Sequence, residues 1–201
     1  MTLRRLAAPT IALVLTATLA ACGSDDSPAA DTSATATEAP AGSSDSASLN
    51  DADIEFSQGM IAHHEQAIEM AEIALDPNIG ASADVVDLAT RIKGAQGPEV
   101  TLMTEWLTAA GEPVAVDGSE GHDMSPMEGM MTAEQMDAMA AVTGTAFDQL
   151  WLEMMIAHHE GAITQSQTVK ANGSNADVLA LADQIITAQQ AEITEMQALL
   201  S

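Results

Sequence analysis

Cysteine is almost absent from this chain: Cys22 is the only one. No disulfide can form within the chain, and no thiolate cluster can hold a metal. Nucleophilic hydrolysis has no support either, since there is no second candidate cysteine and no Gly-x-Ser-x-Gly phrase. Aromatic residues are scarce, with two Phe, two Trp and no Tyr, so any core is built mainly from Leu, Ile, Val, Ala and Met. Basic residues are scarcer still, five against 30 acidic ones. That balance argues against nucleic acid and against electrostatic binding to anionic lipid, and it favours solubility and cation attraction. Long apolar runs are missing: the stretch Leu6 to Leu19 is too short for a comfortable membrane span. No strand-like alternation appears.

What is present is one phrase written twice. The first copy is Phe56-Ser-Gln-Gly-Met-Ile-Ala-His63-His64-Glu-Gln-Ala67, and the second is Trp151-Leu-Glu-Met-Met-Ile-Ala-His158-His159-Glu-Gly-Ala162. Four of the five histidines lie in these two phrases. At 100° per residue, Phe56, His64, Ala67 and Ala71 fall within about 40° of Met60. Glu65, Glu69 and Glu72 fall on the far side, and His63 lies about 60° off, on the flank beside Met70. The second copy turns Trp151, Met155, His159 and Ala162 inward and leaves His158 on the flank. Each helix thus presents one histidine and one methionine to a core.

Residues 1–21 read as a secretory signal, with Arg4 and Arg5 as its positive end. The run Leu19-Ala-Ala-Cys22 resembles a bacterial lipobox, which makes Cys22 the lipidated first residue of an extracytoplasmic lipoprotein anchored to the cell membrane. Residues 22–50 are rich in Ser, Ala, Thr, Asp, Gly and Pro and read as a disordered tether. Residues 51–201 form one domain by size. Its first repeat is 51–110, a connection covers 111–144, and the second repeat is 145–201.

A first long helix is expected from Asn50 or Asp51 to just before Asp76-Pro77. A second runs from about Ser82 to Ala110 and stops at Gly111, with Val85, Leu88, Ile92, Ala95, Met103 and Trp106 on one face. Pro98 lies inside it, where a kink is expected. The connection carries Thr132-Ala-Glu-Gln135, a capping box opening a short helix that ends at Gly144. Long helices then run from about Thr145 to Lys170 and from about Asn175 to Leu200. The last of these places Gln189, Glu192, Met196 and Leu199 where the second helix has Gln96, Glu99, Met103 and Trp106. Each half is a helical hairpin, and two hairpins close an all-α four-helix bundle.

A core that takes in His64, His159, Glu99 and Glu192 must pair them or bind them to something. Counting from the hairpin turn, His64 and Glu99 are staggered by roughly 7 Å, which places Gln96 nearer His64. Two arrangements remain open: His–Glu pairs with methionine as filling, or metal sites, one central or two symmetric. The metal candidates are His63, His64, His158 and His159, Glu99 and Glu192, and Met60, Met103, Met155 and Met196, although the helical methionines are read first as core filling. Imidazole and carboxylate suit zinc, iron or copper(II), and thioether suits copper(I). The connection adds His122, Met124, Met127, Met130 and Met131, a Met/His cluster fit to trap copper(I). Met136 and Met139 are read as packing the short helix onto the bundle.

The paired Met-Ile-x-His-His-Glu phrases, each followed by Gln-x-x-Glu-(Val/Ile)-x-x-Met, resemble the family called "domain of unknown function 305". The resemblance covers about residues 51–200. It implies a ferritin-like four-helix bundle, usually exported and often lipid-anchored, with a role in handling metal, especially copper, outside the cytoplasm. It makes His63, His64, His158 and His159 the paired histidines and Glu99 and Glu192 the acids of the second and fourth helices. The chain departs from the pattern at Gly97-Pro98, and it has Gln165 where the first helix has Met70.

Three functions compete. The first is a metal-binding lipoprotein that buffers copper or passes it to a protein partner. The second is a metal-free bundle serving as an envelope interaction module. The third, a ferritin-like di-metal oxidase, lacks the inward Glu-x-x-His pairs and four carboxylates that such chemistry uses. Nothing in the sequence indicates the oligomeric state.

Overall fold

The computed structural model describes residues 48–115 and 127–201. The described residues are helical, with no strand among them: α1 (Asp51–Leu75), α2 (Ala83–Ala110), α3 (Ala133–Ala140), α4 (Thr145–Asn172) and α5 (Ala176–Leu199). α1 packs on α2 and α4 on α5, and the two hairpins meet chiefly through α1 and α4. The fold is an all-α bundle of four long helices, with α3 resting on α4. Among the described residues no helix is long and apolar enough to cross a membrane. Residues 1–47, with Cys22, and the connection's His122 and Met124 lie outside the described residues.

Local chemistry explains the helix ends. Asn50 caps α1 and Asp53 answers it in a capping box, while Ser82 and Asn175 cap α2 and α5 with their side chains. Gly111 closes α2 in the left-handed conformation, at φ 78°. Thr132 and Gln135 form the expected capping box of α3. That short helix ends at Ala140, however, and Gly144 opens α4 instead of closing α3. At φ 59° and ψ −142°, Gly144 turns the chain into α4 through a conformation that side chains avoid. α2 runs unbroken through Pro98. Just before α1, Leu49 packs on the core, and Asn50 donates to the Asn172 carbonyl at 3.0 Å.

Asp53 fastens the bundle at this end. Its buried carboxylate accepts from the backbone N–H groups of Asn50, Ser174 and Asn175, tying the start of α1 to the α4–α5 turn. Trp151, fully buried, donates its indole N–H to the Met70 carbonyl at 2.9 Å and so ties α4 to α1. Three expected core positions differ. Ala95 is exposed and Trp106 half-exposed, while Gln96 and Leu107 take the inner places on α2. On α5 Leu199 is exposed and Ile193 buried. On α2 the inner positions fall one residue later than expected, as a face extrapolated over many turns slips.

Candidate metal centre

All four repeated histidines are buried, His158 with 1% of its surface exposed and the other three with none. His64 donates from Nε2 to Glu99 Oε2 at 2.8 Å, and His159 does the same to Glu192 Oε2 at 2.7 Å. The two halves repeat this contact almost to the ångström. The stagger expected between His64 and Glu99 is closed by side-chain direction. Side chains lean toward their own helix N-terminus. Glu99 therefore leans toward the hairpin turn and His64 away from it, and the two converge. Gln96 is left buried, with neither amide atom hydrogen-bonded.

His63 and His158, placed by helical periodicity on the flanks, are not at the surface. The flank of each hairpin is the seam between the two, and there the rings meet with centroids 3.8 Å apart and planes tilted by 46°. Neither ring nitrogen of either residue has a hydrogen-bond partner. Burial pushes the His63 imidazolium down to about 3, with a further push from His64. The Glu128 backbone works the other way, without giving either nitrogen a bond of normal geometry. His158 is lowered well below its ordinary value, first by burial and then by His63, His159 and His64. Both rings are therefore neutral near pH 7, the form in which imidazole offers a lone pair to a metal.

The methionines divide into two groups. Met60, Met103, Met155 and Met196 are fully buried. Met60 and Met103 pack with Phe56 in one core cluster, and Met155 and Met196 pack with Trp151 in another. Met136 and Met139 are also buried and join α3 to the second cluster. Met127, Met130 and Met131 are half-buried on the connection, which lies against α1 and α4. Gln66 grips the backbone of Met131 from both sides, donating to its carbonyl at 2.9 Å and accepting from its N–H at 2.7 Å. A Cβ placed on Gly59 would lie 3.4 Å from Met127 Sδ. Sequence reasoning overlooked Gln66 and Gly59, whose only signal lay in the positions where the two phrases differ; Gln165, noted as a departure from Met70, is half-buried with its Nε2 unpartnered.

Do these residues fit a metal? Six imidazole nitrogens are buried without partners: both of His63, both of His158, and Nδ1 of His64 and His159. Each such group costs about 1–3 kcal/mol if left unmet. On His64 and His159, a carboxylate holds one ring nitrogen and the other is free, the arrangement that orients a histidine toward a metal. Against this, no group of three or more His, Cys, Asp or Glu side chains among the described residues is arranged to hold an ion. The His63 and His158 rings also touch too closely to share one as they stand. With metal–nitrogen bonds of about 2.0 Å, rings facing each other across an ion have centroids about 6 Å apart. Neutral imidazoles with free lone pairs are donors that a soft or borderline ion accepts, although the His63 and His158 rings as placed do not enclose one.

The fold and this site define a class: an all-helical bundle of two His-His hairpins around a buried imidazole pair. The chain belongs to the family described as "Domain of unknown function (DUF305)", which matches residues 53–200. A DUF305 protein of Streptomyces coelicolor, described as secreted, is 27% identical with a TM-score of 0.68, over 74% of this chain and 91% of that one. A DUF305 fragment from Deinococcus radiodurans is 25% identical with a TM-score of 0.67, over 76% and 97%. CopM, solved in a Cu(II)-bound form, is 30% identical with a TM-score of 0.61, over 74% and 95%. CopM has also been solved in Cu(I)-bound and Ag-bound forms. No curated protein matches the chain.

Proposed function

We propose that this protein is an extracytoplasmic lipoprotein, held to the membrane through lipid on Cys22, that binds copper as cargo for buffering or delivery to a protein partner. The observation that carries the reading is the set of six buried imidazole nitrogens without partners. A small bundle has no packing use for so much unmet polarity. Neutral His63 and His158 supply lone pairs, and His64 and His159 supply Nδ1 while Glu99 and Glu192 orient their rings. On this reading the two carboxylates orient histidine and are not ligands. Copper(I) fits imidazole and thioether donors, and zinc or copper(II) would compete at the imidazoles. CopM, which has been solved with copper and silver, is similar over most of both chains. The acidic surface, with three basic residues left after the signal, attracts cations.

A metal-free envelope module is the second reading. It is favoured by the direct His64–Glu99 and His159–Glu192 bonds, which need no ion. A di-metal oxidase draws no support, because His64 and His159 each pair with a single carboxylate on a neighbouring helix and His63 and His158 pair with none.

Competition titration of the full chain with copper(I) under reducing conditions separates the readings, with copper(II) and zinc run alongside. Tight copper(I) binding is expected, weakened in His63→Leu/His158→Leu and in His64→Ala/His159→Ala. Binding no stronger than weak surface association in the wild type would leave the metal-free module standing.

A further inference from the structure

The two copies of the phrase differ at two positions where at least one copy lies against the connection. Aligning Met60 with Met155 sets Gly59 against Met154 and Gln66 against Gly161. Met154 is buried on α4 one turn before His158, so its thioether shares a face with that ring. Gly59 holds the same place one turn before His63 on α1, and it has no side chain. The space is not left open, because Met127 Sδ reaches to 3.4 Å from where a Cβ at Gly59 would be. The connection thus supplies to the first half the sulfur that the second half carries on its own helix.

The second differing position holds the connection in place. Gln66 bonds the Met131 backbone in both directions. At the matching place on α4, Gly161 lets the connection lie directly on the helix. A Cβ there would lie 1.9 Å from the Glu128 carbonyl oxygen, a separation no side chain tolerates. Gly129, at φ 85°, is also tightly placed: its Cβ would lie 2.6 Å from the Ala157 carbonyl oxygen. The segment 127–131 is therefore seated by a side chain on α1 and by a missing side chain on α4.

We propose that Met127 and Met154 are pseudo-equivalent thioether donors flanking the His63–His158 pair, and that Gln66 and Gly161 are the positioning residues that bring Met127 there. The proposal rests on the copper reading above and adds to it the ligand set and its latch. Two imidazoles between two thioethers favour copper(I) and silver over zinc. The two halves are made chemically equal by unequal means, with one methionine built into a helix and the other carried in by a loop.

The test moves a sulfur atom. In the full chain, Met127→Ala should weaken copper(I) binding by about tenfold or more while leaving zinc binding unchanged. Adding Gly59→Met to Met127→Ala should restore copper(I) affinity, since the vacated space admits the new side chain and the Gln165 amide can give way. Gly59→Leu in the same background, equal in bulk but without sulfur, should not. Gly161→Ala should lower affinity roughly 10- to 100-fold by lifting the segment, with the bundle's thermal transition retained. Met127 lies on the connection, so the Met127 variants test the site even if a change at Gly161 disturbs α4. Equal copper(I) affinity in wild type and Met127→Ala would overturn this ligand set, as would equal rescue by Leu and Met at Gly59. A wild type that fails to bind copper(I) would overturn the metal reading itself, and this site with it.

Discussion

The two hairpins carry the same polar chemistry and differ where something else touches them. His64–Glu99 and His159–Glu192 match within 0.1 Å. Phe56 and Trp151 occupy one place, but only Trp151 has an N–H to spend, and it reaches across to Met70 of the other half. Gly59, Gln66 and Gly161 all lie against the connection, and each differs from its counterpart in the other copy. Duplication thus explains the repeated pair, and the docking of one segment explains the departures. The three basic residues among the described residues follow the same division. Lys93 with Glu72 and Lys170 with Asp183 each close one hairpin, whereas Arg91 spans from Asp87 to Glu195 of the other half.

Substitutions at matched positions sharpen this comparison. The largest effect is expected at the aromatic pair. Trp151→Ala should cost about 3–5 kcal/mol and Phe56→Ala the lower part of that range, read by chemical denaturation. The excess at Trp151 reflects the Met70 carbonyl left without its donor. A comparable cost at both positions would mean that the cross-tie adds nothing. Next come the carboxylates. Glu99→Ala and Glu192→Ala should each cost about 1–3 kcal/mol, by leaving a buried imidazole N–H unmet. Unequal costs would show that Pro98, beside Glu99 alone, alters the first pair.

The histidine seam predicts a pH dependence. In the unfolded chain His63 takes up a proton near pH 6.5, but in the folded protein only at about 3. The unfolded state therefore binds more protons in that window, and stability falls as pH drops through it, by up to a few kcal/mol. His158, lowered in the same direction, adds to the slope. Urea midpoints measured from pH 7.5 to pH 4.5 should fall steeply in the wild type and less so in His63→Leu/His158→Leu. Parallel curves would mean that the seam histidines do not govern the acid transition. Smaller effects are expected at the latch, where Gln66→Ala should cost about 1 kcal/mol and speed proteolysis within 127–131. The smallest is expected at Arg91→Ala, an exposed bridge between the hairpins worth about 0–1 kcal/mol.

Much of this molecule was legible before its structure. The five helices and most of their caps follow from Asn50, Ser82, Thr132 and Asn175 and from the 3.6-residue period, because these are local effects. The inward turn of His64 and His159 follows from the same period, as does the place of Glu99 on the apolar face of the second helix, with Glu192 matching it in the repeat. What the period cannot reveal is the second neighbour of a helix. It identified the face that each helix turns to its own hairpin partner, and so left His63 and His158 on the flanks. Only the meeting of α1 with α4 turned those flanks into a seam and joined the rings at 3.8 Å. The connection shows the same limit. Its methionines are visible as a composition, but their seat depends on Gly59, Gln66 and Gly161, residues whose meaning appears only when two helices and a loop converge. By itself the sequence determined a repeated amphipathic hairpin with a polar core, since helix formation, capping and the hydrophobic face depend on neighbours a few residues away. The tertiary structure decided which nitrogens are left without partners and where the connection is seated, since those depend on contacts between segments far apart in the chain.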